Sequence, residues 1–458
     1  MFKKNILILI ICVLLSAFAY ASKPNFVIFL ADDCTYREIG AYGGENKATP
    51  NIDNFAKESL LFERAYQATA MCSPTRHNLY TGLYPTKSGA YPNHTFANDD
   101  VKSICHYLKQ ADYSVALLGK SHIAPRSVFP FNYLGGGNPI KLEKAKDYMN
   151  KQVEKKQSFC LVVASNQPHY PFTLGKPQNF PESNISLSPN LLDTPQTRKI
   201  YSKYLAEIEY MDNQFATILS YIDELNIKDN TVVVYLSEQG GSFPFAKWTC
   251  YDDGVKSAYI IRYPQLIKAG TRSQAIVEYA DIVPTFMELA GLEIPEILDG
   301  KSIVENLKDP SKEGKKYTFS MQTTRGIKLG SDAYPIRSIS NGKYRYILNL
   351  MPDEKFVNVL TEGTSNGDYW ESWKELAKTD TNAKELVELY QNRPQEELYD
   401  TENDIYCRNN LADNKELEQI KAELKTELLA QMQRVNDFGI ETELKASERK
   451  AGQLKKKK

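Results

Sequence analysis

The sequence has few cysteines, few histidines and almost no net charge. Its seven cysteines are scattered over 458 residues, which excludes a disulfide-dense scaffold and offers no zinc-binding spacing, although their pairing stays open. The formal net charge of -1 gives no electrostatic attraction for nucleic acid, so we expect no nucleic-acid partner. Internal repeats are also absent, and low complexity is confined to the lysine run at residues 455–458, which we interpret as a solvated tail.

Long apolar runs are missing as well, except near the N-terminus. Residues 1–21 combine Lys3 and Lys4 with an apolar run at residues 6–15 and a small-x-small triplet at residues 19–21, a pattern typical of a cleaved signal peptide. We therefore predict an exported protein, periplasmic or extracellular. The alternative is an uncleaved membrane anchor, although the apolar run is short for a bilayer span.

Apolar runs alternate with helical segments over residues 22–315, which we predict as the larger of two domains. Buried strands are predicted at residues 25–31, 114–118, 159–164, 231–236 and 258–262. Residues 205–225 keep one apolar face at helical spacing, and Thr49-Pro50 predicts a helix that begins with a threonine cap. The alternation predicts an α/β fold, with a large, mostly parallel sheet flanked by helices on both faces.

The pattern changes after residue 315, and residues 316–458 are predicted to form a smaller α+β C-terminal subdomain that ends in the basic tail. Residues 334–347 indicate a hairpin that turns at an Asn-Gly pair. A short strand at residues 397–400 and an amphipathic helix at residues 414–435 follow.

Acidic and amide side chains follow two of the predicted strands. Asp32 and Asp33 come directly after the first strand, and Glu238 and Gln239 follow the fourth. Ligands of parallel α/β sheets bind beyond the carboxyl ends of the strands, and such oxygen donors suit a hard cation such as Ca²⁺ or Mg²⁺. Carboxylates at these positions can also cap the following helix, so the residues alone leave both interpretations open.

The most informative segment is residues 70–82, Ala-Met-Cys-Ser-Pro-Thr-Arg-His-Asn-Leu-Tyr-Thr-Gly. Its core, Cys72-x-Pro74-x-Arg76, resembles the signature at which type I sulfatases convert a cysteine to formylglycine. The resemblance implies the alkaline-phosphatase-like fold of that family and a sulfatase catalytic domain over residues 22–315. It also implies that one hydroxyl of a hydrated aldehyde at Cys72 attacks sulfur, while Arg76 stabilises the ionised hydroxyl.

The resemblance extends to the cation. It implies Ca²⁺, with Mg²⁺ as the alternative, and the implied ligands are Asp32, Asp33, Cys72, Glu238 and Gln239. In the family the second pair is usually Asp followed by Asn or His, whereas Glu238 and Gln239 are each one methylene longer than Asp and Asn. The chemical type of each ligand is kept, so we expect coordination to survive, with the identity of the cation left open.

Three further motifs imply catalytic roles. A Gly-Lys-x-His element contains Lys120, which would contact sulfate and the nucleophile, and His122, which would hold or deprotonate a hydroxyl of the aldehyde hydrate. A His-x-Pro element contains His169, the implied proton donor to the leaving group. A Lys-x-Thr-x-Tyr-x-x-Gly element contains Lys247, an implied sulfate ligand. The other histidines are interpreted as structural or surface residues: His77, His94 and His106.

Residues 110–131 and 240–244 most resemble the N-sulfoglucosamine sulfohydrolase branch of the family. The resemblance implies a sulfated carbohydrate substrate, with an O- or N-linked sulfate, and a formylglycine-generating or anaerobic maturation enzyme as partner. The oligomeric state is left open. Tyr334, Arg337 and Arg345 are candidates for a sugar-binding rim, and solvated strand positions are the alternative.

Two other functions compete with a sulfatase. The first is a phosphodiester or phosphonate hydrolase of the same superfamily, although a single metal set argues against a two-metal phosphatase. The second is a catalytically silent glycan-binding relative, suggested by Glu238 and Gln239. It predicts that Cys72 stays an unmodified thiol.

Overall fold

The computed structural model describes residues 23–363 and 368–449. The predicted signal peptide at residues 1–21 and the lysine run at residues 455–458 lie outside the described residues, so both stay predictions. No described helix has both the length and the apolar composition needed to cross a bilayer. The cysteines in the described part of the chain are all buried, and none of them forms a disulfide.

A nine-stranded sheet forms the centre of the described chain. Its strands are β1 Asn25–Ala31, β2 Leu60–Tyr66, β3 Ser114–Gly119, β4 Asn132–Gly135, β5 Phe159–Ala164, β6 Thr231–Ser237, β7 Lys256–Ser257, β8 Tyr259–Arg262 and β9 Thr271–Glu278. The order is β4-β3-β5-β1-β6-β8-β2-β7, with β9 paired to β2. The neighbouring pairs β4-β3, β3-β5, β5-β1 and β1-β6 are parallel. The pairs β6-β8, β8-β2 and β2-β7 are antiparallel. The predicted mostly parallel α/β sheet is confirmed.

Four strands of the sheet, β2, β4, β7 and β9, are not predicted by the sequence; β4 and β7 are short, with four and two residues. Strand β2 has the charged pair Glu63-Arg64 at its centre, which interrupts the apolar run. Strand β9 begins with Thr-Arg-Ser-Gln and is buried continuously only in its second half. Strands β2 and β9 lie on the side of the sheet beyond β8, where burial on both faces is incomplete, so their sequences lack the signal of a fully buried strand.

The helices are α1 Pro50–Lys57, α2 Cys72–Thr81, α3 Pro85–Ser88, α4 Ile104–Lys109, α5 Glu143–Glu154, α6 Pro195–Glu224, α7 Asp252–Val255, α8 Ile282–Leu289, α9 Val304–Lys308, α10 Tyr369–Leu376, α11 Thr381–Gln391, α12 Glu418–Arg434 and α13 Ile440–Lys445. Helix α1 begins at Pro50 as predicted, but Thr49 does not cap it. The Thr49 hydroxyl instead accepts from the Gly40 N–H and donates to Asp53.

Helices cover both faces of the large sheet. Alternate residues of β1 divide between two apolar cores, with Phe29 in the first and Ile28 in the second. The long helix α6 packs Ile208 and Phe215 into the first core, and α8 packs Phe286 into the second. The predicted apolar face of α6 is thus the face that covers the sheet. Because β1 is buried on both sides, its carboxyl end is held rigidly in the centre of the fold.

A second, antiparallel sheet follows, with the order β10-β11-β12-β13. Its strands are β10 Thr318–Gln322, β11 Ile336–Ser340, β12 Tyr344–Asn349 and β13 Glu396–Asp400. Gly342 has φ +88 in the turn between β11 and β12, so the predicted Asn-Gly hairpin is confirmed. Helix α12 packs Leu424 and Leu428 against this sheet. Residues of α10 and α11 join the first core beside α6, so the C-terminal part packs directly on the larger sheet.

Candidate active site

The carboxyl ends of β3, β5, β1 and β6 lie side by side at one edge of the large sheet. The predicted site residues that follow them are Lys120 after β3, His169 after β5, Asp32 and Asp33 after β1, and Glu238 and Gln239 after β6. Backbone hydrogen bonds fix where these loops begin. The Glu238 N–H donates to the Ala31 carbonyl at 3.0 Å, and the Lys120 N–H donates to the Ala164 carbonyl at 3.0 Å. Parallel strand pairing therefore brings all six side chains to one place.

Cys72 is the first residue of α2, a helix in which every residue is buried. Its Sγ lies 3.6 Å from Asp32 Oδ1 and 3.7 Å from Asp33 Oδ1, and Gln239 Nε2 lies 3.0 Å from it. Burial, reinforced by Glu238, raises the pKa of the Cys72 thiol far above its ordinary value. The unmodified thiol is therefore protonated and a poor nucleophile. Its Sγ marks the position that a formylglycine side chain would take.

The acidic residues form a candidate metal site. Asp32, Asp33, Cys72 and Glu238 each offer one ligand atom, and these atoms all lie within 4.8 Å of one another. Gln239 Nε2 lies 2.6 Å from Asp33 Oδ1, while Gln239 Oε1 is buried without a hydrogen-bond partner. Rotating this amide by half a turn would place the oxygen among the other acceptors, where a cation would satisfy it. The donor set fits a hard cation.

Electrostatics at the cluster also favour a cation. Burial raises the pKa of Glu238 to about 8. The positive charge of Arg76 lowers this pKa, whereas the negative charge of Asp32 raises it. Burial alone would raise the pKa of Asp32 as well, but Lys120 and the other nearby cationic groups hold it well below its usual range. Three buried carboxylates so close together repel one another, and a divalent cation would remove that repulsion.

Three cationic side chains contact the carboxylates. The ion pairs are Arg76 with Glu238, Lys120 with Asp32 at 2.5 Å and Lys247 with Asp33 at 2.5 Å. Arg76 also donates to the Lys120 carbonyl at 2.7 Å, which ties α2 to the loop after β3. Ser242, which the sequence analysis did not single out, donates to Asp33 Oδ2 at 2.8 Å. Cationic side chains thus surround the carboxylates that lie next to Cys72.

His122 and His94 form a pair beside this cluster. His122 Nε2 lies 2.8 Å from His94 Nδ1, and His122 Nδ1 is buried without a hydrogen-bond partner. Burial, together with Lys120 and Arg76, lowers the pKa of His122 to about 2, so its ring is neutral and a weak base that can accept a hydrogen bond. His94 is exposed, in agreement with its interpretation as a surface residue, but its ring also contacts a predicted site residue. His94 belongs to no motif, so the sequence carries no signal for this contact.

His169 faces the same carboxylates. Its Nε2 lies 3.7 Å from Asp33 Oδ2, and its Nδ1 lies 2.5 Å from the Tyr170 carbonyl oxygen, to which it donates. Burial lowers the pKa of His169 from its ordinary value, against the opposing effect of Asp33. The ring is therefore oriented by the Tyr170 carbonyl, with Nε2 directed toward the cluster.

Two other histidines are structural, as the sequence analysis interprets them. His77 is fully buried, and its Nδ1 donates to the Ser73 carbonyl at 2.7 Å while its Nε2 accepts from the Ala124 N–H at 3.2 Å. Burial lowers the pKa of His77 to about 4, which keeps it neutral. His106 forms a capping box with Ser103 at the start of α4.

A pocket of about 280 Å³ opens onto Cys72. Its lining residues are Cys72, Asn93, His94, His122, His169, Tyr170, Ser242, Lys247, Trp248, Gly326, Ile327, Lys328 and Val359. The volume lies at the small end of the range for ligand pockets, which suits a small ligand group held against Cys72. A larger cavity of about 510 Å³ lies near Arg37 and Asp253, but none of the predicted site residues lines it.

The predicted sugar-binding rim is wrong. Tyr334, Arg337 and Arg345 are completely buried, so they are neither a rim nor solvated strand positions. Arg337 forms an ion pair with Asp437, and Arg345 donates to Asp252 at 2.6 Å. The sequence places these residues on strands but does not show that both faces of the second sheet are covered. The C-terminal part reaches the pocket instead through residues 326–328 and Val359.

The family model for sulfatases matches two stretches of the chain, residues 24–142 and 139–292, which include the ends of β1, β3, β5 and β6. The chain belongs to the sulfatase family. It is accordingly a hydrolase of sulfuric esters, and its fold is the one the sequence predicts.

Known relatives cover nearly the whole chain. An ulvan-active sulfatase of Formosa agariphila is 33% identical over 433 residues, which cover 92% of this chain and 82% of that protein. The human N-sulphoglucosamine sulphohydrolase is 26% identical, and the match covers 89% of each chain. The crystal structure of the sulfatase yidJ from Bacteroides fragilis superposes with a TM-score of 0.72 at 20% identity, covering 91% of this chain and 97% of that one.

Proposed function

We propose that this sulfatase removes an O- or N-linked sulfate from a sulfated carbohydrate, using a formylglycine formed from Cys72. The observation that carries the proposal is the position of Cys72 at the start of a buried helix, behind a small pocket. It contacts two carboxylates, which are themselves paired with Lys120 and Lys247. The names of two relatives, ulvan-active sulfatase and N-sulphoglucosamine sulphohydrolase, support a saccharide substrate. The N-sulfoglucosamine type is one member of this substrate class.

The proposal includes export and maturation. Residues 1–21 favour export to the periplasm or the extracellular space. The motif Cys72-x-Pro74-x-Arg76 favours modification by a formylglycine-generating or anaerobic maturation enzyme. Formylglycine would supply a hydrated aldehyde, which attacks sulfur where the Cys72 thiol is protonated and inert.

The residues of the chain can provide charge stabilisation and proton transfer. Lys120, Lys247 and Arg76 place three positive charges where the oxygens of a sulfate gain negative charge during transfer, and their ion pairs fix them in advance of the reaction. Neutral His122 is suited to hold the attacking hydroxyl by accepting a hydrogen bond from it. His169, whose ring is held by the Tyr170 carbonyl, is suited to protonate the leaving group.

We propose that Ca²⁺, or Mg²⁺ as the alternative, is bound by Asp32, Asp33, Glu238, Gln239 and the modified side chain of residue 72. The cation would neutralise negative charge on the sulfate oxygens. The buried, unpartnered Gln239 Oε1 and the three adjacent carboxylates support this ligand set. Elemental analysis of the dialysed protein distinguishes the two cations, and an amount of metal far below one ion per chain argues against the site.

Defined substrates test the proposed reaction. We expect the protein to release sulfate from at least one member of a panel of heparin, chondroitin and algal saccharides, and to act far more slowly on phosphate diesters and phosphonates. Mass spectrometry of the peptide that spans residues 71–76 should show loss of the Cys72 thiol. Faster turnover of phosphodiesters supports the phosphohydrolase alternative, whereas an unmodified thiol together with glycan binding and no turnover supports the silent relative.

Replacing His169 with alanine should affect substrates according to their leaving groups. A sugar hydroxyl or amine needs a proton to depart, so we expect kcat/KM for saccharide sulfates to fall by about 10²- to 10⁴-fold. An activated aryl sulfate leaves without a proton, and its rate should fall by less than about tenfold. His106→Ala is the matched control, since His106 lies outside the pocket. Equal losses on both substrates contradict proton donation by His169.

A further inference from the structure

The pocket beside Cys72 has a rim built from two distant segments of the chain. Asn93 and His94 contribute the first, and residues 326–328, which follow the first strand of the second sheet, contribute the other. The two segments are in direct contact: the Asn93 N–H donates to the Arg325 carbonyl at 3.1 Å. Gly326 has φ +91, and a Cβ there would lie 2.6 Å from the Asn93 carbonyl oxygen, so only glycine allows this approach.

The end of the described chain holds both rim segments. The Glu443 carboxylate in α13 accepts from the Thr324 N–H at 2.9 Å, just before residues 326–328. Arg449 donates to the Phe96 carbonyl at 2.9 Å, and its own carbonyl accepts from the Thr95 hydroxyl at 2.7 Å, just after His94. One C-terminal segment therefore connects the two rim segments, which gives the backbone of the rim a defined position.

The described residues that line the pocket include basic side chains but no acidic ones. Two lysines and three histidines line the pocket, and none of the described lining residues is Asp or Glu. Lys247 is engaged by Asp33, and the histidines lie next to the carboxylate cluster. Lys328 differs because it is solvent-exposed and takes part in no ion pair within the described residues. Its positive charge is available to a ligand in the pocket.

We propose that Lys328 determines specificity by binding a second anionic substituent, a carboxylate or a second sulfate, on the sugar whose sulfate is cleaved at Cys72. This inference rests on the proposed function, because it places a sulfated sugar in the pocket. The pocket of about 280 Å³ holds one sugar ring. The sulfate to be cleaved lies against Cys72, and the second anion reaches Lys328 at the rim.

Kinetics with matched substrates test the role of Lys328. The probes are D-glucosamine 6-O-sulfate, D-glucosamine 2-N,6-O-disulfate and L-iduronic acid 2-O-sulfate, so that a second sulfate and a carboxylate are compared with no second anion. In Lys328→Gln we expect the KM of the doubly anionic sugars, relative to the singly anionic one, to rise about threefold to fivefold, the range of an exposed ion pair. Lys328→Glu should increase the ratio further, and added salt should reduce the difference.

The control is Lys151→Gln, which removes an equally exposed charge on α5 away from the pocket and should leave the ratio unchanged. Calorimetry with the variant Cys72→Ala measures binding of the same probes without hydrolysis. It therefore tests the subsite separately from the proposed function. If the probes bind in a way that depends on Lys328 but the parent protein does not hydrolyse them, the subsite is supported and the proposed hydrolysis of these sugars is overturned. If Lys328→Gln leaves the ratio of KM or Kd between doubly and singly anionic sugars unchanged, the subsite is overturned. Turnover of the sugars in that case still supports the proposed function.

Discussion

Replacing Cys72 with alanine is expected to reduce sulfate release from every substrate by on the order of 10⁵-fold or more, as loss of the nucleophile does in other hydrolases. The side chain of residue 72 is the only part of the pocket that the proposed chemistry converts into a nucleophile, and no other cysteine lines the pocket among the described residues. The fold should be retained, because the change removes only the polar group on Cβ of residue 72, at a site where that group contacts polar side chains. We expect the free energy of unfolding to change by about 1 kcal/mol.

Cys105→Ala is the matched control for this prediction. Cys105 is also a buried cysteine and packs in the second core, but it does not reach the pocket. Released sulfate and the melting temperature should be measured for both variants. Normal turnover by Cys72→Ala excludes this residue as the source of the nucleophile, and equal loss of activity in Cys105→Ala indicates that the assay reports folding rather than chemistry.

Replacing Asp437 with asparagine is expected to destabilise the protein by about 3–5 kcal/mol, the effect of breaking a buried ion pair. Arg337 lies in β11 without solvent exposure and donates to Asp437, with Nη2 at 2.8 Å from Oδ1. Asparagine keeps the shape of the side chain but removes its charge, which leaves the guanidinium buried and unpaired. The measurement is the midpoint of urea unfolding, followed by the fluorescence of the buried tryptophans.

Two controls separate charge burial from simple loss of contacts. Asp193→Asn breaks an exposed pair with Arg198 and should cost no more than about 1 kcal/mol. The double variant Arg337→Met and Asp437→Leu removes both charges and should recover most of the lost stability. A variant Asp437→Asn that is as stable as the parent protein contradicts this account.

The sequence is most informative where a segment is buried on both sides. Strands β1, β5 and β6 are continuous apolar runs because helices cover both faces of the sheet, and each run is readable without knowledge of its neighbours. Asp32 and Glu238 follow two of these runs directly, so their proximity is a consequence of parallel pairing between β1 and β6. The motif around Cys72 indicates the family from sequence alone, because its residues lie within a few positions of one another.

Residues that reach the pocket from loops have no comparable pattern in the sequence. His94 and Lys328 lie in segments without periodicity, and their place at the pocket depends on contacts with residues 440–449, far away in the chain. Arg337 was misread for a related reason. A charged residue on a strand is usually exposed, but here α12 packs on the second sheet and Asp437, which follows this helix, pairs with the buried Arg337.

The sequence by itself determined the sulfatase family, the large parallel sheet and the acidic and basic residues at its strand ends, since each of these depends on local pattern or on spacing within a motif. Only the tertiary structure decided which groups surround Cys72 from outside those motifs, which arginines are buried and which lysine is left unpaired at the rim. Such features depend on long-range packing, in which a side chain's environment is set by residues that are hundreds of positions away.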